Sequence, residues 1–132
     1  MRVHLCRHAQ AAPGEPDELR PLTPEGEAQA VRLGEWLAAD GQTTPAVVVS
    51  SPLLRARQTA ALVARATGAE LHVDARLSPG ASVEELRAVI GELTGPVAAV
   101  GHQPDCSEIV VALTGSDPGF PPAGVATIEL EP

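Results

Sequence analysis

Two histidines and two arginines each follow a short apolar segment of the chain, close to the point where that segment ends. They are Arg7, His8, Arg55 and His102. An arginine guanidinium binds phosphate oxygens through two parallel hydrogen bonds and stays charged at any working pH. A neutral histidine can attack phosphorus, and a second, protonated histidine can stabilise the negative charge of the transition state. These residue types therefore indicate phosphoryl transfer.

The apolar segments have the composition of short strands, and helical patterns lie between them. We predict strands at Arg2–Cys6, Ala46–Ser50, Glu70–Val73, Pro96–Val100 and Val125–Leu130. Helix starts are predicted at Thr23-Pro24, Ser51-Pro52, the Ser82–Glu85 capping box and Pro104. This alternation favours an α/β three-layer sandwich: one domain over residues 1–132, with a mostly parallel sheet and helices on both faces.

The strand ends matter because ligands of such sheets bind outside the carboxyl ends of the strands. The two arginines and two histidines all follow predicted strands, so we expect them to meet on one rim of the sheet. Taken singly, each has an ordinary explanation. An arginine at a strand end is usually a solvated surface residue, and a histidine near a helix start is usually a cap. Four of them on one rim favour a catalytic site.

Composition excludes several function classes. The chain has 132 residues, and nine basic residues oppose 17 acidic ones for a net charge of −8, so we expect no nucleic-acid or anionic membrane partner. All nine basic residues are arginine, which excludes a P-loop lysine, a Schiff base and a pyridoxal phosphate anchor. No apolar run approaches about 20 residues, and the N-terminus lacks a signal-peptide core. We expect a cytoplasmic monomer.

One alternative of a different class is a metal-binding module. His4, Cys6 and His8 alternate along the first strand, and His102 and Cys106 are spaced i,i+4 near a helix start. These residue types are zinc ligands. The strand's alternation would set His4 and Cys6 against a helix layer, however, where buried packing explains them more simply. The two cysteines do not make a disulfide framework.

Four sequence stretches resemble motifs of the histidine phosphatase superfamily, also called the phosphoglycerate mutase-like fold. They are LCRHAQA, SSPLLRARQTA, GHQPDCSEIV and the helix start RPLTPEGEAQA, which is similar to that of the small, SixA-like phosphohistidine phosphatases. The resemblance covers Val3 to Leu130. It implies that His8 is the nucleophile and that Arg7, Arg55 and His102 complete a phosphate pocket without metal or cofactor. By the same resemblance, Gln10 and backbone donors near Gln103 contact the substrate.

Two departures from the family pattern bear on the substrate. Ala9 replaces the usual glycine after the histidine, a change of one methyl group that small members of the family tolerate. Many members also carry a glutamate general acid after the third strand, but the stretch 76–80 contains no acid, and Glu84 and Glu85 belong to a helix start. The carboxyl groups that could substitute are those of Asp17, Glu18 and Asp105.

These departures leave two enzymatic hypotheses. The chain has no dedicated acid and lacks the large helical insert of the mutases. We therefore expect an open site that suits phosphohistidine on another protein. The alternative substrate is a small phosphate monoester. A non-catalytic phosphohistidine reader is disfavoured because every position of the phosphate pocket keeps its reactive residue type.

Overall fold

A five-stranded sheet forms the centre of the protein. The computed structural model describes all of residues 1–132. The strands are β1 (Arg2–Arg7), β2 (Val47–Ser50), β3 (Glu70–Val73), β4 (Val97–Gly101) and β5 (Val125–Glu129). Their order across the sheet is β3-β2-β4-β1-β5; the first four are parallel, and β5 runs antiparallel to β1 at the edge. The predicted mostly parallel α/β sandwich is confirmed.

Two helices cover each face of this sheet. They are α1 (Pro24–Ala39), α2 (Leu54–Thr67), α3 (Val83–Ile90) and α4 (Asp105–Thr114). The predicted caps form at two of them: the Thr23 hydroxyl accepts from the backbone N–H of Gly26, and Ser82 and Glu85 make a reciprocal capping box. Two short 3-10 turns, Asp17–Leu19 and Ala75–Leu77, lie before α1 and after β3. No helix has both the length and the apolar character that crossing a membrane requires.

The core divides into two main apolar clusters because successive side chains of a strand point to opposite faces. Val3 and Leu5 of β1 belong to the cluster beneath α3 and α4. Cys6 belongs to the cluster beneath α1 and α2. Burial raises the pKa of the Cys6 thiol far above its usual range and that of Cys106 to about 12. Both cysteines therefore remain protonated, unreactive packing residues at neutral pH.

The capping signal predicted at Ser51-Pro52 lies two residues before the observed cap of α2, Leu53. Helix α2 begins at Leu54, and its cap residue Leu53 makes no side-chain capping bond. The Ser51 hydroxyl accepts instead from the backbone N–H of Leu53, at 3.2 Å, and forms a 2.7 Å hydrogen bond with His102 Nε2. Ser51 is fully buried at the end of β2, and this contact with a histidine from another strand end outweighs the local capping signal.

Candidate active site

The order of the three central strands brings the reactive residues together. Strand β4 lies between β1 and β2, so the carboxyl ends of all three meet at one edge of the sheet. Backbone pairing continues past the strand ends, since His8 N donates to Gly101 O at 3.0 Å and Ser51 N donates to Val100 O at 3.0 Å. As a result, His8, Ser51 and His102 occupy adjacent positions on the rim that the sequence predicts.

The His8 ring is held in one tautomer. Its Nδ1–H donates to the backbone carbonyl of Ala9 at 2.7 Å, and because a carbonyl only accepts, the neutral ring keeps its free lone pair on Nε2. Burial lowers the pKa of His8 from 6.5 to about 4. The positive charges of Arg55, Arg7 and Arg20 lower this pKa further, whereas the hydrogen bond that His8 donates to the Ala9 carbonyl raises it. His8 is therefore neutral at pH 7, with its Nε2 lone pair free.

His102 lies beside His8, with ring centroids 5.3 Å apart and planes inclined at 59°. Its ring is buried, and Nδ1 has no hydrogen-bond partner within the protein. Burial lowers the pKa of His102 to about 4, with further lowering from His8 and Arg55. In the free protein the second histidine is therefore neutral. Protonation of this ring would need an added negative charge nearby.

Two arginines place guanidinium groups around these rings. Arg7 ends β1, and its Nη1 donates to the backbone carbonyl of Phe120 at 2.9 Å, while its buried Nε has no partner within the protein. Arg55 occupies the first turn of α2 and is 7% exposed; its Nη1 donates to Asp17 O at 2.9 Å. Both guanidinium groups retain N–H donors for an oxyanion, because each has five.

Sequence reasoning missed a third arginine at this rim. Arg20 lies in the loop before α1, and its charge reaches the His8 ring. Its Nη1 donates to Asp17 Oδ1 at 3.0 Å, while Asp17 Oδ2 accepts from Arg55 Nη2 at 3.2 Å. The hydrogen bond from Arg20, followed by that from Arg55, lowers the pKa of Asp17 below its usual range. Asp17 is therefore ionised at neutral pH and holds no proton to donate.

Gln58 and Thr59 of the stretch SSPLLRARQTA hold the loop that follows His8. Thr59 Oγ1 accepts from the backbone N–H of Ala9 at 3.0 Å and donates to the carbonyl of Arg55 at 2.8 Å. The Gln58 side chain accepts from the backbone N–H of Leu22 at 2.8 Å. These bonds tie the two ends of the loop to α2, the helix that carries Arg55. The added methyl of Ala9 is accommodated in a small apolar cluster.

The other candidate residues lie in less direct positions. Gln10 is exposed and accepts from the Thr23 hydroxyl at 2.7 Å, and the Gln103 side chain bonds Ser107 in the first turn of α4. Both side chains therefore serve helix starts in the free protein. Asp105 accepts from the backbone N–H of Gly80 at 2.8 Å, and Glu18 is exposed in the 3-10 turn. None of these contacts is with His8.

The alternating His4, Cys6 and His8 do not form a metal-ligand cluster. The His4 ring is 3% exposed, and both of its nitrogens are engaged, one with the Thr127 hydroxyl at 2.9 Å and one with the carbonyl of Thr43 at 2.7 Å. His4 therefore satisfies its hydrogen bonds within the core. The buried-packing interpretation accounts for it and for Cys6.

Three surface cavities of about 340 to 400 Å³ lie outside the rim. One is between α3 and α4, and the other two are both lined by Trp36. None of them is lined by His8, Arg7 or Arg55. The arrangement on the rim is a neutral, half-buried imidazole on which the positive charges of three arginines act. It can bind a tetrahedral oxyanion and attack it.

The protonation states of the two rim histidines provide a test of this geometry. We expect both rings to titrate near pH 4 rather than 6.5. The unfolded chain takes up these protons near pH 6.5, so the same groups make the fold less stable as pH falls from 6.5 towards 4. Histidine resonances followed by NMR, assigned with His8→Gln and His102→Gln and accompanied by circular dichroism, would measure this. Midpoints near 6.5 in the folded protein would contradict the burial argument.

The sequence matches the profile of a known family. The sequence profile of the histidine phosphatase superfamily (branch 1) matches residues 3–79. An uncharacterized protein of Mycobacterium tuberculosis is 34% identical over 140 aligned positions, which cover 94% of this chain and 86% of the relative.

Solved structures share the fold along almost the whole chain. The structure of the protein histidine phosphatase SixA in complex with tungstate has a TM-score of 0.86 and 28% identity, covering 99% of this chain and 89% of that one. A SixA protein from Agrobacterium tumefaciens has a TM-score of 0.80 and 35% identity, covering 96% and 88%.

Proposed function

Because the chain belongs to the histidine phosphatase superfamily, we propose that it removes the phosphoryl group from phosphohistidine on a protein, through a covalent intermediate on His8. The observation that carries this proposal is the hydrogen bond from His8 Nδ1 to the carbonyl of Ala9. It leaves the Nε2 lone pair free beside three arginines whose charges act on the ring. A neutral imidazole in a cationic pocket is suited to attack phosphorus.

The first step transfers the phosphoryl group to the enzyme. Arg7 and Arg55 bind its oxygens, and His8 Nε2 attacks phosphorus in line with the departing nitrogen. A P–N bond to His8 forms, the P–N bond of the substrate breaks, and its electron pair stays on the substrate imidazole. The negative charge of the bound group raises the pKa of His102, whose protonated ring then stabilises the equatorial oxygens.

The second step regenerates the free enzyme. A water molecule attacks the phosphorus of phosphorylated His8, the P–N bond breaks, and its electron pair returns to Nε2. The water's oxygen remains on the phosphate, and one of its protons passes to solvent. The Ala9 carbonyl holds the Nδ1 proton throughout, so His8 returns to the same tautomer.

Phosphohistidine is favoured by the state of the carboxyl groups around the rim. A serine or sugar phosphate leaves as a basic alkoxide and needs a proton in the transition state. Asp17 is ionised by its arginine contacts, and the carboxylate of Asp105 accepts from a backbone N–H. The imidazole of phosphohistidine can already carry its own proton near neutral pH. It therefore leaves without help from an acid.

Two further features support a protein substrate. None of the three large cavities contains His8, Arg7 or Arg55, whereas pockets for small metabolites enclose most of the ligand surface. SixA, with which this chain shares its fold over nearly its full length, is a protein histidine phosphatase. The SixA structure contains tungstate, a tetrahedral oxyanion that resembles phosphate. This supports the binding of a phosphoryl group by the present chain, which has the same fold.

We expect kcat/KM on a phosphohistidine protein or peptide to exceed that on phosphoserine peptide and small monoesters by about 10²–10⁴, the size of the missing general-acid contribution. Phosphate release is measured on all substrates side by side, with and without EDTA. We expect activity to survive the chelator, because arginines supply the positive charge.

The matched control is His8→Gln, which has no nucleophilic nitrogen and should be inactive on every substrate. Equal or faster turnover of a small monoester by the unmodified protein would contradict the proposed substrate. It would favour the alternative of a phosphomonoesterase acting on a metabolite.

A further inference from the structure

A single carboxylate binds two of the three arginines at the rim. Asp17 Oδ1 accepts from Arg20 at 3.0 Å, and Oδ2 accepts from Arg55 at 3.2 Å. The backbone carbonyl of Asp17 also accepts from Arg55 Nη1 at 2.9 Å. The Asp17 side chain is 58% exposed, whereas that of Arg55 is 9% exposed. The loop thus reaches over the rim and binds a buried arginine from its solvent side.

Both arginines keep donors after making these contacts. A guanidinium has five N–H donors. Arg55 gives two of them to Asp17. Arg20 gives one to Asp17 and one, from Nε, to the carbonyl of Ala12 at 2.8 Å. Three donors remain on each, so an oxyanion can bind both side chains while Asp17 holds them in place.

The charge of this cluster distinguishes it from an ordinary surface ion pair. Arg76 lies between two carboxylates, and Asp74 and Glu92 engage all three of its nitrogens. That cluster carries a net charge of −1 and has few free donors. The Asp17 cluster has one carboxylate and two guanidinium groups, a net charge of +1 beside His8. An excess of positive charge with free donors is the arrangement that attracts an anion.

Stability alone does not account for the arrangement. Exposed ion pairs contribute little to stability, and bringing Arg20 close to Arg55 introduces repulsion between two cations. The carboxylate between them offsets this repulsion and fixes both orientations. Fixed donors cost less to order when a ligand binds.

We propose that Arg20 is a third phosphate-binding arginine and that Asp17 is the positioning residue that holds Arg20 and Arg55 at the pocket. The proposal rests on the proposed function only in that the bound group is a phosphoryl oxyanion. Arg20 contacts the oxyanion from the exposed side of the rim. Asp17 touches only the two arginines.

The test measures oxyanion binding directly. The affinity of the full-length protein for tungstate is determined by isothermal titration calorimetry for the unmodified chain, Arg20→Ala and Asp17→Asn. We expect each variant to bind tungstate about tenfold more weakly or worse, the size of one lost charge-assisted hydrogen bond. Arg20→Lys should recover only part of the loss, because an ammonium lacks the planar fork.

Two control variants separate this effect from general changes in charge. Glu15→Gln removes an exposed carboxylate of the same loop, and Arg57→Ala removes an exposed arginine of α2. Both should leave tungstate affinity unchanged. Thermal melting of each variant identifies a folding defect. If the role of Asp17 were purely structural, Asp17→Asn would lower the melting temperature. Weaker tungstate binding at an unchanged melting temperature therefore identifies a positioning role.

Two results would overturn the proposal. Binding by Arg20→Ala or Asp17→Asn within about threefold of the unmodified protein would show that the cluster does not serve the oxyanion. Tighter binding by Asp17→Asn would show that Asp17 competes with the anion for Arg55. Because tungstate binding requires no turnover, either result is distinguishable from failure of the phosphohistidine assay.

Discussion

Replacement of His8 by alanine is expected to abolish turnover. The variant loses the only ring on the rim whose tautomer is fixed by a backbone carbonyl, and with it the Nε2 lone pair that attacks phosphorus in the proposed mechanism. His102 does not substitute, because its Nε2 is bonded to the Ser51 hydroxyl at 2.7 Å. Without a nucleophile the covalent route is closed, and only direct hydrolysis by water remains.

The measurement combines turnover with detection of the intermediate. The unmodified protein, quenched during reaction with a radiolabelled phosphohistidine substrate, should carry a label that is acid-labile and base-stable, and His8→Ala should carry none. His72→Ala is the matched control, because His72 is an exposed histidine on the edge strand β3. Turnover by His8→Ala at the rate of the unmodified protein would contradict the assignment of His8 as the nucleophile.

Arg7→Ala and Arg55→Ala are each expected to lower kcat/KM by about 10³–10⁵, the range for arginines that stabilise a phosphoryl-transfer transition state. Each guanidinium donates to oxygens whose negative charge grows as the P–N bond breaks. Arg55 is nearly buried, so its hydrogen bonds act where water competes little. Replacement by lysine should rescue poorly, because a point charge cannot form two parallel hydrogen bonds.

Helix α2 supplies the control for Arg55. Arg57 lies two residues further along, is exposed, and donates through Nε to the carbonyl of Pro52 at 2.9 Å. Arg57→Ala removes the same charge from the same helix and should stay within about threefold of the unmodified protein. A loss below tenfold in Arg55→Ala would show that Arg55 is a structural residue held by Asp17.

The strands, most helix boundaries and the candidate residues for phosphoryl transfer could be predicted from the sequence. Strand and helix signals are local: Thr23 caps α1 from one position before it, and Ser82 and Glu85 complete their capping box within one turn. Local signals also place Arg7, His8 and His102 after strands. Because parallel strands end at the same edge, their convergence on a rim could be anticipated from the order of elements.

The contacts that hold these residues in place depend on the tertiary structure. The order β2-β4-β1 sets Ser51 beside His102, and no local pattern specifies which strands become neighbours. No local pattern places Arg20 at the rim, because its position depends on a contact with Asp17, which in turn binds Arg55, 38 positions along the chain. A loop with few regular hydrogen bonds takes its path from the surfaces on which it packs, and those surfaces exist only once the chain has folded.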